Sequence, residues 1–117
     1  MTVNLNDRAF KYAKDLIEDR KVVHDTRDDW SEHAPSADEE NAFLEKHGWE
    51  EYSKWFLGIN DEMDEDTKGH YEFPYGDFRK VHRCAVISGE TRAGQYDHDA
   101  IRNALKTLLR RADESTA

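Results

Sequence analysis

Apolar residues recur at helical spacing most clearly near the two ends of the chain. Phe10, Ala13, Leu16 and Ile17 share one face, while Lys11, Lys14, Asp15 and Glu18 point elsewhere. This pattern predicts a helix running to about residue 20, capped by Asn4 or Asn6. Ile101, Ala104, Leu105, Leu108 and Leu109 form a second such face, for a helix at 97–112 with Asp97 as its cap. Arg102, Lys106 and Arg110 run as a basic stripe down its other side.

Between these, the segment 21–35 fits neither the helical nor the strand period and reads as a connector anchored by Trp30. Ser36 with Glu39 makes a capping-box pattern, so a helix is expected over 36–47, ended by Gly48. Trp49, Tyr52, Trp55 and Phe56 then suggest a short helix at 49–57, stopped by Gly58, whose aromatic face fills the core. Pro74, Tyr75 and Gly76 break the chain, and Asp77 is placed to cap a central helix over 78–93. On that helix Arg79 and Arg83 share one face at i,i+4, with Lys80 beside them. Like charges so placed repel and call for an anionic partner. The expectation is an all-α fold: one compact domain over 1–112, about five helices packed around 78–93, and a disordered tail at 113–117.

Charge sharpens this picture. The 117 residues carry a formal net charge of -9, which disfavours general affinity for nucleic acid or anionic membrane. Residues 1–77 hold 21 acidic and 9 basic side chains; residues 78–117 hold 5 and 8. The sign therefore changes at the start of the predicted central helix. A single cysteine permits no disulfide within the chain, and neither a signal-peptide-like run nor an apolar stretch of the ~18 residues that span a membrane is present. A cytoplasmic protein is expected.

Candidate chemistry is sparse. The acidic run at 60–66 fails the calcium-loop pattern in every register, lacking the required glycine or terminal glutamate. The six histidines show no i,i+4 pair, and one cysteine offers no CxxC, so no metal or other cofactor is expected. His82 and Cys84, two apart on a predicted helix, point away from each other and make a poor base–nucleophile pair. No catalytic constellation is legible, and a non-enzymatic protein is expected.

At Tyr75-Gly76-Asp77-Phe78, Val81-His82-Arg83 and Arg92-Ala93, with Trp49-Glu50-Glu51-Tyr52 upstream, the chain resembles a group of small uncharacterised bacterial proteins. The resemblance implies a small all-helical fold and brings no activity with it. The residues themselves suggest an interaction module that binds a protein or a small anion through Arg79, Lys80 and Arg83 beside Tyr71 and Tyr75. The alternative is a nucleic-acid binder using the last two helices as a helix-turn-helix-like pair.

Overall fold

Helix α1 (Asp7–Glu18) forms where its amphipathic pattern places it. Asn6 is its cap, accepting from the Ala9 N–H at 3.4 Å, and the same side chain donates to the carbonyls of Ser53 and Phe56. One asparagine thus starts the helix and ties it to a segment some fifty residues away. The computed structural model describes residues 3–25, 30 and 34–114, and its architecture is mixed α/β, not the all-α bundle the helical periods suggested. Among the described residues there are four helices and two small sheets.

The first sheet has the order β1-β3-β4, all antiparallel: β1 (Val3–Leu5), β3 (Phe56–Asn60) and β4 (Tyr71–Pro74). The second pairs β2 (Val22–Val23) with β5 (Val81–His82) in parallel. Helix α2 (Ala37–Ser53) begins at Ser36 with both bonds of the capping box formed and is broken at Gly48, whose φ is 81°. Two further helices, α3 (Arg83–Gln95) and α4 (Asp99–Glu114), pack against each other, and α4 also lies on α1. Leu16, Ile17, Leu57, Ile101, Leu105 and Leu108 meet at the centre. Burying each such side chain contributes roughly 1.5–3 kcal/mol, and these contacts dominate the fold's stability.

Four boundaries differ from expectation. The aromatic segment is helical only to Ser53 and continues as β3, so Gly58 sits inside a strand. A Cβ on Gly58 would lie 2.8 Å from the Phe73 ring and 2.9 Å from Val3 Cγ1, so glycine lets both neighbours close over the sheet. The expected central helix does not start at 78. Phe78 has φ 69°, Gly76 bridges Val81, and the Asp77 N–H donates to the Lys80 carbonyl, so residues 76–81 form a tight turn. The chain then spends two residues pairing with β2 before α3 begins. Asp97 has φ 58° and stands outside α4, which starts at Asp99; the His98 carbonyl accepts from the Arg102 N–H. Asp113 and Glu114 belong to that helix rather than to a tail; 115–117 lie outside the described residues, as does most of the connector at 26–33.

Candidate functional site

The turn at 76–81 and the start of α3 bring together a buried polar cluster. His82 is the last residue of β5 and stands at the N-cap position of α3, and its side chain is 5% exposed. Its Nδ1 lies 2.7 Å from Asp25 Oδ2 and its Nε2 lies 2.9 Å from Asp77 Oδ2. Asp25 follows β2, so the parallel β2–β5 pairing sets its position. Its other oxygen accepts from the Cys84 N–H at 2.8 Å, an amide of the first turn of α3. A carboxylate there meets both an orphan donor and the positive end of the helix dipole. Asp77 is held from its other side, where Oδ1 accepts from the Arg79 and Lys80 N–H groups at 3.0 and 2.8 Å.

Burial works against ionisation of Asp25. Hydrogen bonds from the Cys84 thiol and amide, and then the hydrogen bond and charge of His82, outweigh that penalty and hold the carboxyl below its ordinary range. Asp77 behaves likewise: desolvation opposes its charge, while His82 and the Lys80 and Arg79 amides more than compensate. Both are therefore carboxylates at neutral pH. His82 therefore sits between two carboxylates, with one ring nitrogen within hydrogen-bond distance of each. Cys84 is 1% exposed, and one ligand atom each from Asp25, His82 and Cys84 all lie within 4.8 Å of one another. The Trp30 ring stands 5.6 Å from the imidazole.

On the outer side of the same turn lies a groove of about 350 Å³. Phe43 and Phe78, stacked with ring centroids 4.4 Å apart, line it, and Lys46, His47 and Arg79 stand around it with Glu39. A larger and more open depression of about 630 Å³ lies where α3 meets the end of α4. There Lys106 and Arg110 are answered by Glu90, Asp113 and Glu114, so it presents no concentrated positive charge.

The residues singled out in the sequence are dispersed. Arg79 and Lys80 are exposed on the turn, and among the described residues neither side chain forms an ion pair. Arg83 is the first residue of α3, not a helical partner of Arg79, and its Nε lies 2.7 Å from Asp113 Oδ1. Tyr75 is fully buried, its hydroxyl donating to the Lys54 carbonyl at 2.6 Å, so it cannot meet a partner at the surface. Tyr71 is half-buried, and its hydroxyl donates to the Glu65 carbonyl. Arg102, from the basic stripe, pairs with Glu90 at 3.3 Å.

Sequence reasoning passed over Asp25 altogether and read Asp77 only as a cap. The argument that separated His82 from Cys84 assumed that both lie on one helix; His82 precedes the helix, and Asp25 reaches both. No family profile, curated protein or solved structure matches the chain. No helix among the described residues is long and apolar enough to cross a membrane.

Proposed function

We propose that the protein is a non-enzymatic binding module of the cytoplasm that takes an anionic group of a protein or small-molecule partner in the groove beside Arg79. The observation that carries this reading is the exposed guanidinium of Arg79, without an ion pair among the described residues, at the rim of a groove walled by Phe43 and Phe78. Lys46 and His47 add donors to the same rim. Asp77 lines the groove too, but its carboxylate is occupied by two backbone amides and His82, so it is poorly placed to repel an anion. An apolar wall beside a planar, bidentate cation suits a carboxylate or phosphate carried next to an aromatic or aliphatic group. Lys80, on the same turn, extends the positive edge.

Titration of isotopically labelled protein with an acidic peptide containing an aromatic residue, and separately with inorganic phosphate, tests the reading. Expected are shifts of the Arg79, Lys46 and Phe43 resonances that weaken with salt. Arg79→Glu should lower affinity at least tenfold, about 1.4 kcal/mol, while leaving thermal stability intact. Shifts elsewhere, or binding indifferent to that reversal of charge, would remove the groove from consideration.

A further inference from the structure

We propose that Asp25, His82 and Cys84 form a three-ligand site for zinc(II), with Asp77 orienting the histidine. The ligand atoms are one carboxylate oxygen, the imidazole Nδ1 and the thiol Sγ, all within 4.8 Å of one another. Donors around a tetrahedral zinc stand about 3.5 Å apart, given metal–ligand bonds of about 2.0–2.3 Å. The 2.7 Å contact between His82 Nδ1 and Asp25 Oδ2 therefore opens by about 0.8 Å to admit the ion, and the sulfur, within 4.8 Å of the other ligand atoms, has at most about 1.3 Å to close. Mixed oxygen, nitrogen and sulfur donors suit zinc over the hard cations calcium and magnesium.

A further feature points the same way. Metal-bound histidines donate their other ring N–H to a carboxylate or carbonyl, which fixes tautomer and ring direction. His82 Nε2 already faces Asp77 Oδ2 at 2.9 Å, and Asp77 is itself clamped by two amides. Binding forms metal–oxygen, metal–nitrogen and metal–sulfur bonds and releases the thiol proton, with any proton on the coordinating ring nitrogen, to solvent. Three protein ligands leave a fourth position on the ion. The site shares Asp77 with the wall of the Arg79 groove but uses none of the groove's cations as ligands.

The test uses the tag-free full chain, stripped with chelator, shown to be folded by circular dichroism, and titrated with cobalt(II) as a spectroscopic stand-in. Expected are one ion per chain and a near-ultraviolet thiolate-to-cobalt charge-transfer band that zinc(II) abolishes by displacement. Cys84→Ser should lose that band and weaken zinc at least tenfold. Asp77→Asn should keep the band and weaken zinc about 10–100-fold, as expected for a residue that only orients a ligand. Arg79→Glu should change neither. If folded wild-type protein takes up no ion at micromolar concentration, or binds cobalt without the thiolate band, the cluster is a hydrogen-bonded latch and the proposal is overturned. The wild-type spectrum decides this even if a variant fails to fold.

Discussion

Removing the Asp25 carboxylate is the sharpest test of what the buried cluster contributes to stability. The side chain is 6% exposed and accepts from His82 Nδ1 and the Cys84 N–H. In Asp25→Ala these donors lose their acceptor in a site closed to bulk water, while the His82 contact to Asp77 remains. Leaving buried donors without their acceptor costs about 1–3 kcal/mol each, so about 3–5 kcal/mol in all is expected, against a total stability of about 5–15 kcal/mol for a domain of this kind. Asp25→Asn separates charge from hydrogen bonding. Its carbonyl oxygen can still accept from Cys84, and its amide can donate to Nδ1 of a neutral ring that keeps its Nε2–H on Asp77. The bonds survive and only the charge is lost, so about 1–2 kcal/mol is expected. Urea unfolding in chelator, followed by tryptophan fluorescence and far-ultraviolet circular dichroism, reads both. With a slope of about 2 kcal/mol per molar, the alanine variant's midpoint should fall by about 2 M and the asparagine variant's by under 1 M. A fall below about 0.5 M for alanine, or equal falls for the two variants, would refute this account of the cluster.

Gly76→Ala should destabilise by about 3 kcal/mol, because its Cβ would run into the Lys80 carbonyl oxygen and stand 2.7 Å from the Trp55 ring. Backbone and a buried indole cannot both yield, and a thermal melt should show the loss. Tyr75→Phe removes the donor to the Lys54 carbonyl and should cost about 1 kcal/mol by chemical denaturation, with no change in fold. Ser36→Ala abolishes the capping box of α2 and should cost about 1 kcal/mol, seen as faster amide exchange confined to the first turn of that helix. Arg83→Ala breaks a pair whose side chains are 30% and 48% exposed, so urea unfolding should show a loss of less than about 1 kcal/mol in stability.

Those elements whose apolar period runs over three or more turns were legible. Helices α1 and α4 bury most of the faces the pattern marks, with Phe10 and Leu109 only half-buried and Ala9 and Ala112 buried in addition, and the Ser36–Glu39 capping box formed as written. The strands were hidden for physical reasons. β2 and β5 are two residues long, shorter than any window in which alternation can be distinguished from helical spacing. Trp49, Tyr52, Trp55 and Phe56 keep helix-like spacing across a helix–strand junction, so the pattern does not register the change of backbone. Asp77 does cap backbone amides, as its type suggests, but those of a turn closed by Phe78 at positive φ. The buried site was invisible for a different reason: Asp25 and His82 meet across 57 residues of chain, and only the parallel β2–β5 pairing makes them neighbours.

The contact between the first and last helices has a consequence for how the chain is made. The apolar stripe of α1 (Asp7–Glu18) is covered by α4 (Asp99–Glu114), which a ribosome makes after every other described element. At about 5–20 residues per second, roughly 4–16 s pass between the end of one helix and the beginning of the other. During that interval Leu16 and Ile17 lack their final cover, and the strand partner of β1 has yet to appear for part of it. A nascent chain stalled before residue 99 therefore presents a ready surface to chaperones. Truncation of the last helix should unsettle the opposite end of the sequence as much as its own.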